Sequence, residues 1–141
     1  PQYTKYVEKS RKSADATNMD ELVKAVQVYA VDNAIVKKTN EIKVTIQLTK
    51  DGVKGADTAN GGTTTPGNLK ATDIATEAFE AYVPNWKNIK LKSEQWGGNP
   101  TVELTIDAEG GVKTTNVAPP DFKKFYGGAD TTVAPAEGTN P

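Results

Sequence analysis

From Pro1 to about residue 32 the chain has no glycine and no second proline, and so long a stretch without a breaker reads as one helix. Pro1 suits the first turn, because its ring pre-sets φ and the N–H it lacks would have no partner there. From Met19 the apolar residues fall at Met19, Leu22, Val23, Val26 and Ala30, the i, i+3, i+4, i+7 spacing of a face that buries against a core. Upstream the pattern thins to Tyr3, Tyr6, Val7, Ser10 and Ala14, flanked by Lys5, Glu8, Lys9, Arg11 and Lys12. A helix of ~30 residues rising ~1.5 Å per residue extends roughly 45 Å, longer than the core of a chain this size covers, so its start is expected to project. Two readings of that projecting half stay open: neighbouring chains pack on it and keep it helical, or it is a solvated, fraying terminus.

The 141 residues have room for one domain. With 36% hydrophobic residues and a mean hydropathy of -0.57, the core is expected to be modest and to lie under long polar loops. Seventeen basic residues against 18 acidic ones give no global field, so nucleic acid is not expected as a partner. Cysteine and histidine are both absent, which excludes Ser-His-Asp and Cys-His catalysis, histidine metalloprotease chemistry and Cys/His zinc sites. No disulfide can form, which fits either a reducing cytosol or an exporting organism that does not depend on disulfides. No run of about 18–20 apolar residues appears, and the start at Pro1 reads as a cut inside a longer protein.

The run Pro1-Gln2-Tyr3-Thr4-Lys5-Tyr6-Val7-Glu8-Lys9-Ser10-Arg11 closely resembles the helix of type IV pilins just after their hydrophobic segment: proline, two tyrosines three apart, then a small and a basic residue. The resemblance is close over about 30 residues, and beyond them only the architecture is shared. It implies an α+β pilin fold, a long N-terminal helix packed on an antiparallel sheet, with a connecting region that contains an extra strand and a short helix. It also implies an apolar half-helix upstream of Pro1 that anchors the precursor in the membrane, meets the pilus assembly machinery and later packs the filament centre. The cleavage motif and the acidic residue of that segment would lie upstream too. Many pilins close a C-terminal loop with a disulfide; this chain must hold that region by packing and hydrogen bonds.

After a polar break at Asp32 and Asn33, Glu41 to Lys50 alternates Ile42, Val44, Ile46 and Leu48 with Lys43, Thr45, Gln47 and Thr49, a half-buried strand. Asp51 to Gly67 collects Gly, Thr, Asn and Asp and reads as a long mobile surface loop. Within it, Asn60-Gly61-Gly62-Thr63 lacks the Gly-Lys-Ser/Thr of a phosphate cradle, while Thr63, Thr64 and Thr65 could carry O-linked sugar. A short helix is expected over Ala71 to Val83, stopped by Pro84. Lys87 to Lys92 alternates like another strand, and Thr101 to Ile106 turns through Asp107-Ala108-Glu109-Gly110-Gly111 into a hairpin with Val112 to Thr115. Asp107 and Glu109 lack the Asp-x-Asp-x-Asp-Gly loop of a calcium site and read as turn residues. Trp86 and Trp96 are expected in the core rather than on a sugar-binding surface. From Ala129 the chain lacks periodicity and is expected to be loosely ordered.

The organisation expected is therefore a single domain over 1–141: helical stalk 1–32, connecting region 33–85, antiparallel strands 86–117, and C-terminal region 118–141. The function expected is that of a filament subunit on the cell surface, with other copies of the chain as partners and the membrane met only through the upstream segment. No catalytic residue, cofactor or metal is expected. Tyr3, Tyr6 and Val7 are the expected packing residues, and Glu8, Lys9 and Arg11 the expected polar contacts between stalks. A pseudopilin of a type II secretion or DNA-uptake system shares the same helix, and a soluble binding module is the reading from another class.

Overall fold

The breaker-free stretch forms one helix, α1 (Gln2–Asp32), and Asn33 ends it by turning both its backbone N–H and its side-chain amide onto the Tyr29 carbonyl, each at 3.0 Å. The computed structural model describes residues 2–33, 41–59 and 67–126. Pro1, the Asn60 to Thr65 part of the loop and the tail from Ala129 lie outside them. After α1 come β1 (Ile42–Thr49), β2 (Gly52–Asp57), α2 (Ile74–Tyr82), a single 3-10 turn (Trp86–Asn88), β3 (Thr101–Ile106), β4 (Val112–Ala118) and α3 (Pro120–Tyr126). The strands form one antiparallel sheet in the order β2-β1-β3-β4. The expected α+β architecture, a long helix on an antiparallel sheet, is the one observed.

The core lies between the sheet and the helices. Ile42, Val44, Ile46 and Leu48 of β1 and Val102, Leu104 and Ile106 of β3 are all buried, and in register Val44 stands opposite Leu104 and Ile46 opposite Val102. Met19, Leu22, Val23, Val26 and Ala30 close over them from α1, and Ala75, Ala78 and Phe79 from α2. Each full burial of a Leu, Ile or Phe contributes about 1.5–3 kcal/mol relative to exposure. Two tyrosine–carboxylate bonds fasten α1 to α2: Tyr29 donates to Glu77, and Tyr82 donates to Asp32 at 2.7 Å. Both phenols are raised above the ordinary tyrosine range, chiefly by these bonds. Asp57, at the end of β2, accepts the Ile74 N–H at 2.7 Å and so caps α2, while burial pushes its own carboxyl up.

Three expectations need correction. Gly52–Asp57, read as part of a mobile loop, is strand β2. Its glycines serve a tight turn and a close approach: Gly52 has φ 132°, and a Cβ on Gly55 would stand 2.0 Å from the Thr45 carbonyl oxygen. Lys87 to Lys92 is not a strand, because both edges of β1 are taken by β2 and β3, leaving this segment one hydrogen bond to it, Leu91 N–H to the Thr49 carbonyl at 2.9 Å. The second pair of strands thus begins at Thr101 rather than near residue 86, and half of the sheet comes from the region read as connecting. Finally, Pro120–Tyr126, read only as C-terminal region, is α3, which seats the fully buried Phe122.

Candidate assembly surface

The upstream half of α1 is tied to the body by polar groups rather than by apolar ones. Asp15 is fully buried, and its carboxylate accepts three N–H donors: Lys92 at 2.8 Å, Ser93 at 2.9 Å and the Trp96 indole at 3.0 Å. About two turns earlier on the same face, Glu8 accepts the Ser93 hydroxyl, and the Arg11 guanidinium lies 3.7 Å from its other oxygen. The segment from Ile89 to Pro100 is therefore a strap, held to β1 on one side and to α1 on the other. Trp96 sits where the strap meets α3, edge-on to Phe122 at 5.0 Å and Phe125 at 5.5 Å, with the Lys12 ammonium 4.7 Å over its ring. The Tyr126 phenol, stacked on Phe122, is raised well above the ordinary range by burial and by Asp20.

Glu8, Asp15, Met19, Leu22 and Val26 follow one another at helical spacing and define the inward stripe of α1. Diametrically opposite, at spacings of three and four, run Tyr3, Tyr6, Ser10, Ser13, Thr17, Glu21, Lys24, Val28 and Val31, every one of them exposed. Tyr3 is 77% and Tyr6 72% exposed, which for a tyrosine is a large apolar surface left in water. Val7 is half-buried, and Lys9 and Arg11 are exposed. Of the six residues singled out in the sequence, Tyr3, Tyr6 and Lys9 thus stand free on the surface, whereas Arg11, though exposed, pairs with Glu8. Glu8 is engaged within its own chain, with its side chain only 14% exposed.

Asp15 is the residue that the sequence reading passed over. A signal was there: extending the Met19, Leu22, Val26 stripe upstream by one turn lands on Asp15, and a carboxylate on a core stripe must find donors. Also missed was a second exposed apolar patch at the far end of the outward stripe, where Val28 (44%) and Tyr82 of α2 (44%) line a groove of about 420 Å³ between the two helices and Val31 (68%) follows Val28 on the stripe. Nearer the start, Lys5, Lys9 and Lys12 surround a shallow depression floored by Phe125. Asp107 is a turn residue, its carboxylate accepting the N–H groups of Glu109 at 3.0 Å and Gly111 at 2.8 Å. Compared with family models, curated proteins and solved structures, the chain matches none of them.

Proposed function

We propose that the chain is the structural subunit of a type IV pilus, polymerising with copies of itself into extracellular filaments that serve adhesion, surface motility or aggregation. The observation that carries this reading is the outward stripe of α1. Tyr3 and Tyr6 head a surface that faces away from the chain's own core, within the very segment that resembles the pilin helix. Exposed aromatic rings beside Lys9 and Arg11 suit a contact with another subunit, since tyrosine brings a large apolar area at low entropic cost and arginine a directed polar contact. The helix-on-sheet architecture is compatible with such a subunit, but folds are shared among many functions and the stripe is the more specific feature. The work of the protein is then geometric: contacts that repeat without closing into a ring extend a filament.

Immunogold electron microscopy with antiserum against this domain tests the reading on the source cells. Label running along thin surface filaments is expected. Label confined to the envelope would instead identify a pseudopilin, and diffuse secreted label a soluble binding module. In the same cells, Tyr3→Asp with Tyr6→Asp should abolish the filaments while circular dichroism of the purified domain stays unchanged; an undiminished filament count would remove these tyrosines from the contact.

A further inference from the structure

Among the described residues the exposed large apolar side chains are Tyr3, Tyr6, Val28, Val31 and Tyr82, and they fall in only two patches. One is the tyrosine pair at the start of α1. The other lies some 20 residues further along the same face, where Glu21, Ala25 and Val28 of α1 and Tyr82, Pro84 and Asn85 at the end of α2 wall the groove. We propose that these two patches are mates: Tyr3 and Tyr6 of one copy of the chain seat in the groove between α1 and α2 of the next copy, the helices running parallel. The inference rests on the filament reading above and gives its contact a register.

Charge chooses this pairing over the alternatives. The tyrosine patch is flanked by the exposed cations Lys5 and Lys9, while Arg11 is engaged with Glu8 at 3.7 Å and Glu8 itself is turned inward onto Ser93. At the groove, Glu21 is part of the lining, Asp32 accepts the hydroxyl of the lining Tyr82, and the one cation of the lining, Lys24, is already engaged with Asp20 at 3.0 Å. Tyrosine patch on tyrosine patch would set lysine against lysine, and groove on groove would set carboxylate against carboxylate. Only tyrosine patch on groove brings opposite signs together, and like-charge juxtaposition across an interface opposes association. The groove is lined by the apolar Ala25, Val28, Val83 and Pro84 together with the polar Glu21, Lys24 and Asn85, a mixture that matches the apolar ring and hydroxyl tip of a tyrosine.

The contact is heterologous, so each docked pair still presents one free tyrosine patch and one free groove, and addition continues without closure. The two patches are separated by about 30 Å along the axis at ~1.5 Å per residue, which becomes the stagger between the two copies in contact. At that stagger Lys9 of one copy comes level with Tyr29 of the other, within one turn of Asp32.

The chain has no cysteine, so a disulfide can be placed at will. Full-length protein carrying Tyr6→Cys and Val28→Cys, oxidised on the cell surface, should run as a ladder of covalent multimers that collapses on reduction. Tyr6→Cys paired with Lys113→Cys, an exposed position on β4, should give no ladder. Surface filaments without a 6–28 ladder would overturn the docking and leave the pilus reading standing. If the chain forms no filaments at all, the pilus reading fails, and mixing the two single-cysteine chains in purified form decides the contact: a mixed dimer supports it and its absence overturns it. Because either cysteine could itself weaken docking, a charge exchange serves as the second measurement. Lys9→Asp should reduce filament yield, and Lys9→Asp with Asp32→Lys should exceed Asp32→Lys alone, the control for the lost Tyr82–Asp32 bond; a double variant no better than that control would overturn the register.

Discussion

Asp15 shows how one residue can fix the position of a whole segment. A carboxylate taken out of water costs several kcal/mol unless hydrogen bonds replace its hydration. Here the replacement comes from the strap, whose Lys92 and Ser93 backbone N–H groups and Trp96 indole have their own need of an acceptor once buried. The strap has no sheet partner to satisfy them, so helix and strap complete one another. Asp15→Ala should therefore destabilise the chain by about 3 kcal/mol, since each orphaned buried donor costs about 1–3 kcal/mol and relaxation recovers part of the total. Asp15→Asn should cost roughly half as much, because the amide oxygen can still accept from Ser93 and Trp96 while its NH₂ faces the Lys92 N–H. Urea unfolding followed by tryptophan fluorescence reads both. An alanine variant within 1 kcal/mol of the natural chain would mean that water fills the carboxylate's place.

At the scale of elements, β2 depends on Gly55. The β1 backbone passes so close that any Cβ there would meet the Thr45 carbonyl, and on the outer edge the Gly55 N–H bonds to the Gly67 carbonyl at 2.6 Å. Gly55→Ala must push the two strands apart, and a loss of about 1–3 kcal/mol is expected, as for other overpacked sites. Faster hydrogen exchange at Lys54 and Ala56, with β3 unchanged, would locate the damage; a neutral substitution would show that the edge strand shifts freely. The same glycines explain why β2 was not legible in the sequence. Turn-rich composition and a strand in close backbone approach look alike until the partner strand is known. α1, β1 and the β3–β4 hairpin were legible, because their periodicities of 3.6 and 2 run long enough to exclude each other. Lys87 to Lys92 misled for the converse reason: its alternation is real, with Ile89 buried and Leu91 partly so, but pairing is decided by free edges, which no local pattern reports. Of the candidate surface, Tyr3 and Tyr6 were legible through the resemblance. The groove was not, since it exists only where the end of α2 meets α1.

For the whole molecule, the proposed assembly role would divide α1 between an inward stripe that folds the chain and an outward one that meets its neighbours. From Glu8 onward its inward stripe is bonded or packed to the strap, the sheet and α2, whereas Tyr3 and Tyr6 turn away from all of them. Changes at the two tyrosines should accordingly leave folding stability within about 0.5 kcal/mol, as surface substitutions usually do. The first turns should also show their dependence on neighbours directly. In the dispersed chain the amides of Tyr6 to Ser10 should exchange well ahead of those from Met19 to Ala30, because opening there breaks few tertiary contacts. In filaments, where the tyrosine patch is covered, those same amides should slow by at least about tenfold, corresponding to roughly 1.4 kcal/mol of added local stability. Mass spectrometry of exchanged peptides from both forms makes the comparison. Equal protection in the two would mean that the helix start needs no neighbour, and the assembly face would then have to be sought on the outer surface of the sheet.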